Sequence, residues 1–205
     1  VATTLGYLSG IATAVLIPCL ATLALSFLWY NRQAKSEALY VQFAERQIGA
    51  TERLGRMALI ISESRRPSRM RGLAVTTKFG EKLMNRFSTE FGEWQAREKS
   101  LQLGDSKIGL ATPSSLVFGK SFDEAESYYS RLVKDFAFVR DEAAAGATPK
   151  MRTVLAETTK LIDPFTDTLR DTVSIMQDEG KKRNKTFTMI AIGCGIPVFI
   201  SIIFR

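Results

Sequence analysis

The chain has 205 residues, enough for one domain of ordinary size. Its formal net charge of +7 is moderate, and histidine, the commonest general base and zinc ligand, does not occur. No nucleophile–base pair, metal-ligand spacing or glycine-rich phosphate loop is present, so we expect no enzyme, no metal and no cofactor. The one tight basic cluster, Lys181–Lys185, adjoins an apolar run, which suits lipid headgroups better than nucleic acid.

Two uncharged apolar segments lie near the ends of the sequence. Residues 5–30 would cross a hydrocarbon core of about 30 Å at about 1.5 Å per helical residue, and Trp29 and Tyr30 resemble an interfacial belt. Residues 186–204 form a second segment of spanning length. We therefore predict two transmembrane helices and a lipid bilayer as a partner. Cys19 and Cys194 fall in these segments, so no disulfide framework is implied.

Residues 31–185 show helical periodicity without strand alternation. A first helix should continue from the first span to about Ser64, and a break at residues 65–68 should precede a second helix over residues 68–99. Turn-forming residues indicate a loop over 104–121, after which the capping-box spacing of residues 121–124 predicts the start of a third helix. Thr148 and Pro149 suit the start of a fourth, which runs on towards the second segment. The predicted fold is all-α, an antiparallel four-helix bundle flanked by two transmembrane helices.

The second predicted helix carries both a core seam and a charged face. The aromatic residues at core spacing, interpreted as packing, are Phe87, Phe91 and Trp94. The carboxylates interpreted as a solvated face are Glu90, Glu93 and Glu98. Asp105 follows this helix and is interpreted as a turn residue, since no second carboxylate has metal-coordinating spacing.

The first predicted helix places arginines in line with apolar residues. Leu39, Arg46, Arg53 and Ile60 share one column at spacings of seven, next to the column of Ala50 and Met57. A guanidinium in a bundle seam needs an anionic partner, because a buried unpaired charge is costly. That partner is either an internal carboxylate, such as Glu157 or Asp163, or a bound ligand.

Two short sequence motifs, one in the first predicted helix and one at the end of the second, narrow the predicted function. Residues 49–54, GATERL, resemble the AG-x-x-RM run of the PilJ-like sensor domain of type IV pili methyl-accepting chemotaxis transducers, a domain similar to the nitrate sensors NarX and NarQ. Trp94, then LQLGD at 101–105, then Gly109 and Leu110, resemble the end of its second helix. The resemblance implies a homodimeric sensor of the bacterial inner (cell) membrane, multi-pass, with the bundle outside the cytoplasm.

The resemblance assigns Arg53 to the family arginine that contacts the anion across a dimer interface. Members continue this motif as L-S-Q-R, whereas residues 55–58 are GRMA, so no residue here matches the second family arginine. The candidate ligand-binding residues are Arg53, Arg46, Arg56 and Gly49. Gly49 and Gly55 flank Arg53, where close helix approach, room for a small ligand or an ordinary sequence accident would explain a glycine.

The predicted function is a transmembrane sensory module. A small ligand, expected to be an anion, would bind the dimeric bundle near Arg53 and shift helix four relative to helix one. The second span would pass this displacement to a cytoplasmic output domain beyond Arg205. The alternative is a membrane-anchored helical scaffold or accessory subunit without a small-molecule ligand, which the basic residues flanking both segments favour, because they place the bundle in the cytoplasm.

Overall fold

The computed structural model describes residues 2–64, 76–110, 116–145 and 149–203. These residues form four helices and no strand. The helices are α1 (Ala2–Ser64), α2 (Thr76–Leu103), α3 (Leu116–Ala145) and α4 (Pro149–Ile203). The all-α prediction is confirmed, and α1 ends at the residue expected. The predicted break at 65–68 and the predicted helix-two residues before Thr76 lie outside the described residues.

The end of α2 follows from two glycines. Gly104 has φ 73°, the left-handed conformation that commonly terminates a helix, and Gly109 has φ 80° in the turn that follows. Asp105 and Leu110, which each follow one of these glycines, exchange backbone hydrogen bonds of 2.8 and 2.9 Å. The Asp105 carboxylate also accepts a hydrogen bond from the backbone N–H of Lys107 at 3.0 Å, so its prediction as a turn residue is confirmed.

Helix α3 begins earlier than the sequence indicated. Its first residue is Leu116, whereas the capping-box spacing predicted a start at Ser121. The turn-forming residues 112–115 all precede Leu116, and only Gly119 among residues 116–120 disfavours a helix. A serine followed three residues later by glutamate also occurs inside helices, so this spacing did not fix the boundary. Helix α4 begins at Pro149, as predicted, while Thr148 lies outside the described residues.

The chain divides into two compact units. The bundle unit, Leu39–Ile175, contains the hydrophobic core, to which all four helices contribute. The largest buried apolar side chains of this core are Leu54, Ile61, Phe87, Phe91, Trp94, Leu132, Met151, Phe136, Phe165 and Leu169. The prediction that Phe87, Phe91 and Trp94 pack in the core is confirmed.

Side-chain contacts show the direction in which neighbouring helices of the bundle unit run. Gln47 of α1 bonds to Glu98 of α2, while Arg53, further along α1, pairs with Glu90, earlier in α2. These two helices therefore run in opposite directions. On the other side of α1, a Cβ atom added to Gly55 would lie 2.4 Å from Ile162 Cδ1, so α1 and α4 approach closely there. Of the three explanations for the glycine at position 55, which also include room for a ligand and an ordinary sequence accident, close helix approach fits.

The second unit, which we call the paired-helix unit, consists of the described residues of 1–38 and 176–205, from the ends of α1 and α4. Tyr30 stacks on Phe187 with ring centroids 4.8 Å apart, and its hydroxyl donates a hydrogen bond to Asn184 Oδ1 at 3.4 Å. Glu37 and Arg183 form an ion pair in the same unit. Aromatic stacking and one ion pair thus hold the two helix ends together.

In the described part of the chain, none of the helices combines the length and the hydrophobicity that a membrane span requires. The predicted spans at residues 5–30 and 186–204, and with them the multi-pass inner-membrane localisation, are therefore corrected.

Candidate functional site

A buried polar cluster lies between α1 and α2 in the bundle unit. Gln47 and Thr51 of α1 are fully buried, and Glu98 of α2 is 1% exposed. Such groups normally stay at the surface, because removing them from water costs free energy unless each finds a hydrogen-bond partner. Their presence in an otherwise aromatic core marks this cluster as the most unusual chemical feature of the described chain.

The hydrogen bonds of the cluster converge on Gln47. Its amide Nε2 donates to the Glu98 carboxylate Oε2 at 2.9 Å and to the backbone carbonyl of Trp94 at 3.0 Å. Arg97 Nε donates to Gln47 Oε1 at 3.4 Å. The Trp94 indole donates to Thr51 Oγ1 at 2.8 Å, and that hydroxyl donates to the Gln47 carbonyl at 2.8 Å. Polar groups that are otherwise costly to bury are thereby paired across two helices.

Burial controls the protonation of Glu98. Desolvation is the largest cause of a rise in its pKa, the amides of Gln47 and Gln102 lower the pKa and the carboxylate of Glu126 raises it. Together they move the pKa from 4.5 to about 7. Carboxylate oxygen Oε1 of Glu98 has no hydrogen-bond partner among the described residues. The site therefore favours a neutral carboxylic acid, because a proton removes the charge that the interior cannot solvate.

Two tyrosines share this environment. Desolvation raises the pKa of Tyr40, and the charge of Glu98 raises it further. The pKa of Tyr129 rises to about 12 through desolvation first and then through Glu98 and Glu126. Both phenols therefore stay protonated near neutral pH, and Glu98 is the group whose charge changes there.

The chemistry available to this cluster is proton binding. Gln47 donates a hydrogen bond to Glu98, and the groups that shift the pKa of Glu98 besides burial are the amides of Gln47 and Gln102 and the carboxylate of Glu126. No group of three or more potential metal-ligating side chains occurs among the described residues. What the cluster can do is take up or release one proton at the junction of α1, α2 and α3.

The sequence interpretation of Glu98 as a solvated residue is wrong. The other two glutamates of this predicted face differ in exposure: the Glu93 side chain is 63% exposed and the Glu90 side chain 13%. Glu98 follows Trp94 by four residues, one helical turn, and so shares its buried face. Gln47 lies in the heptad column of Leu54 and Ile61, both buried. Spacing from Trp94 was thus the signal that could have identified the cluster.

The arginine column of α1 lies outside the core. Arg46 and Arg53 are exposed, as is Ile60 at 47%, while the neighbouring column that includes Gln47 and Leu54 is buried. The predicted column of Ala50 and Met57 is buried as well, so the correction concerns the arginine column alone. The physical reason is the cost of burying a guanidinium, which the exposed position avoids.

Arg53 is paired with a carboxylate that the sequence interpretation did not name. Its Nε donates to Glu90 Oε1 of α2 at 2.5 Å, and its side chain remains 48% exposed. The internal partners considered from the sequence, Glu157 and Asp163, belong to α4 instead. An internal ion pair with Glu90 thus accounts for Arg53 without a ligand, while half of the side chain still faces solvent.

The remaining candidate ligand residues lie along the same helix. Arg56 is largely exposed, with Nη2 4.0 Å from Glu52 one turn earlier. Gly49 lies beside Arg53, since a Cβ atom added there would be 3.4 Å from the Arg53 Nη1 atom. Arg46 is exposed. Arg53 and Gly49 are brought together, and the assignment of all four residues to a ligand site stays a prediction.

In comparisons with protein-family models, curated proteins and solved structures, nothing matches this chain.

Proposed function

We propose that the chain is a sensory module in which the bundle unit binds a small anion on the exposed face of α1, at Arg53. One observation carries this proposal: the Arg53 side chain is 48% exposed on a packed helix, and its Nη1 atom would lie 3.4 Å from a Cβ atom added to Gly49. Arg46 precedes Arg53 in the same helix and Arg56 follows it, and both add positive charge near Arg53. The sequence resemblance to PilJ-like sensor domains supports the same position.

The contact with Glu90 orients the Arg53 guanidinium. A guanidinium carries five N–H donors in a planar fork, and the Nε donor is directed at Glu90. A fork held in this way loses less conformational freedom when it binds a carboxylate-like or nitrate-like anion. Glu90 also competes electrostatically with such a ligand, so moderate affinity is expected.

A homodimer would complete the site. Two copies related by a two-fold axis along α1 would bring the Arg53 side chains to one anion. Leu59 and Ile60, exposed at 44% and 47%, lie on the same helix and would be covered by such an interface. The ligand would then be contacted by both copies, and its binding would be coupled to dimerisation.

Signal transmission would run along α1 and α4. Each of these helices contributes residues to the bundle unit and to the paired-helix unit. A ligand that binds one arrangement of α1 and α4 more tightly than another shifts the population towards it. The displacement of α4 relative to α1 would be the output of the module.

The Arg53–Glu90 ion pair favours a second candidate, a helical scaffold or accessory subunit without a small-molecule ligand. An internal carboxylate already satisfies the arginine at 2.5 Å. In a scaffold the exposed α1 face would bind a partner protein, and no small anion would alter the stability of the bundle.

Thermal unfolding of the purified full chain distinguishes these candidates. Chloride is replaced by nitrate, formate or phosphate at constant ionic strength. A saturating anion that binds only the folded state adds RT ln(1 + [L]/Kd), about 2.7 kcal/mol at 100 times Kd, which corresponds to a rise in Tm of roughly 5–10 °C. Arg53→Ala should abolish the rise.

Arg140→Ala is the matched control. Arg140 is likewise about half exposed and bonded to a carboxylate, Asp141, at 2.8 Å, but it lies on α3. It should keep the full rise in Tm. A rise that survives Arg53→Ala, or the lack of any rise with all three anions, would contradict the anion site and leave the scaffold as the better account. Sedimentation with and without the active anion tests the dimer.

A further inference from the structure

The two cysteines of the chain meet in the paired-helix unit. Cys19 belongs to α1 and Cys194 to α4, both are free and partly buried, and the Cys19 thiol is close enough to raise the pKa of the Cys194 thiol. They are far apart in sequence, so only the packing of the two helices brings them together. Neither cysteine takes part in the proposed anion site, which lies in the bundle unit.

The aromatic contacts of this unit independently place the cysteines at the same level. Phe27 of α1 and Phe187 of α4 have ring centroids 6.4 Å apart. Cys19 precedes Phe27 by about two helical turns, and Cys194 follows Phe187 by about two turns. Tyr30 contacts Phe187, whereas Glu37, later in α1, pairs with Arg183, earlier in α4. The two helices therefore run in opposite directions, and Cys19 and Cys194 lie at the same level along them.

We propose that Cys19 and Cys194 form a reversible disulfide that fastens α1 to α4, which makes this pair a redox modification site. The aromatic and polar contacts between α1 and α4 place the two cysteines at the same level of facing helices, where a disulfide needs Cα atoms within about 7 Å of each other. The bond would fix the register of the two helices in this unit.

The oxidant required is a small disulfide such as oxidised glutathione. One cysteine thiolate attacks a sulfur of the oxidant, which forms a mixed disulfide and releases one glutathione thiolate that takes up a proton. The second cysteine thiolate then attacks the mixed disulfide, forms the Cys19–Cys194 bond and releases the second glutathione. The protein loses two protons and two electrons, and the oxidant is reduced to two thiols.

The surroundings set the pH at which this exchange is fast. Desolvation raises the pKa of the Cys194 thiol, and the adjacent Cys19 thiol raises it further. Since the thiolate is the attacking species, the reaction should be slow near neutral pH and faster in mildly alkaline buffer. Structural closeness, not thiol acidity, therefore favours the bond.

The test uses the purified, reduced full chain with oxidised glutathione at about pH 8.5. After remaining thiols are blocked with N-ethylmaleimide, non-reducing electrophoresis should show a faster-moving monomer, and peptide mass spectrometry should identify a Cys19–Cys194 link about 2 Da lighter than the two free peptides. Dithiothreitol should reverse both changes. Cys19→Ser and Cys194→Ser should each abolish them.

A matched control moves one thiol by a single residue. Leu20 is 47% exposed, and the variant Cys19→Ser with Leu20→Cys turns the thiol about 100° around α1 while Cys194 is kept. It should form the intramolecular link at least tenfold more slowly than the wild-type chain. An equal rate, a product that consists of cross-linked dimers, or two glutathione adducts without the internal link would each overturn the proposal.

Discussion

Gln47 donates a hydrogen bond of 2.9 Å to Glu98, and both side chains are buried between α1 and α2. An amide and a carboxyl group at this depth are costly unless paired, and pairing the carboxyl group as an anion is costlier than pairing it as a neutral acid. The protonation of Glu98 is therefore linked to the stability of the bundle unit.

Glu98→Gln should stabilise the chain at alkaline pH. Burial raises the pKa of Glu98 from 4.5 to about 7, so between these values the folded state holds a proton that the unfolded state has released. For this group the free energy of unfolding is highest below about pH 4.5 and falls as pH rises to about 7, by at most about 3 kcal/mol. Urea unfolding from about pH 5 to pH 8 measures this fall, which the glutamine variant should lack.

Glu93→Gln controls for a change of net charge on the same helix. The Glu93 side chain is 63% exposed, so this variant should keep the pH dependence of the wild-type chain. If Glu98→Gln and Glu93→Gln gave the same pH profile, Glu98 would not be the group that titrates near neutral pH.

Thr51→Val should destabilise the bundle unit by about 1–3 kcal/mol, because it leaves the buried Trp94 indole N–H without its acceptor at 2.8 Å. Valine has nearly the same shape, so packing changes little. Thr89→Val is the control: Thr89 is exposed, and its hydroxyl donates only to the Asn85 carbonyl one turn earlier.

Chemical denaturation of both variants measures the difference. Thr89→Val should change the free energy of unfolding by no more than about 0.5 kcal/mol. In a double-mutant cycle, Trp94→Phe should cost less in the Thr51→Val variant than in the wild-type chain, because the indole N–H is already unpaired in that variant. Additive effects would show that the hydrogen bond contributes nothing.

Gly55→Leu should destabilise the chain by about 1–3 kcal/mol through overpacking between α1 and α4. Gly55→Ala is milder: the added Cβ would lie 2.4 Å from Ile162 Cδ1, a terminal methyl group that can rotate, and the gain in helix propensity of about 1 kcal/mol offsets part of the cost. Removing that methyl group with Ile162→Val should make the alanine substitution more favourable.

Gly92→Ala isolates the propensity effect. Gly92 is exposed on α2, and an added Cβ would meet nothing within 4 Å, so this variant should gain up to about 1 kcal/mol. Thermal unfolding of the three glycine variants measures the differences. A gain of equal size from Gly55→Ala would argue against a close approach of the two helices at this position.

Glu90→Gln should strengthen anion binding if Arg53 contacts the ligand. The substitution removes the negative charge that competes for the guanidinium, and the ion pair itself is partly exposed, so stability should change by less than about 1 kcal/mol. Titration with the anion that raises Tm should give a lower Kd than for the wild-type chain. An unchanged Kd would place the anion away from Arg53.

Sequence periodicity alone determined the helical class, the end of α1 at Ser64, the start of α4 at Pro149 and the aromatic core around Trp94. These features depend on local spacing and on turn-forming residues, which the sequence carries directly. The boundary of α3 was missed because a capping box is a weak local signal that also occurs within helices.

Only the tertiary structure decided which column of α1 is buried, which carboxylate pairs with Arg53 and that Cys19 meets Cys194. Columns one residue apart differ by about 100° around a helix, and an apolar pattern several residues wide fits either. The apparent spans also depended on the structure, since an apolar run in the sequence does not establish a helix able to cross a membrane. Contacts between Gln47 and Glu98, or between the two cysteines, arise from the register of separate helices, which no spacing within one helix encodes.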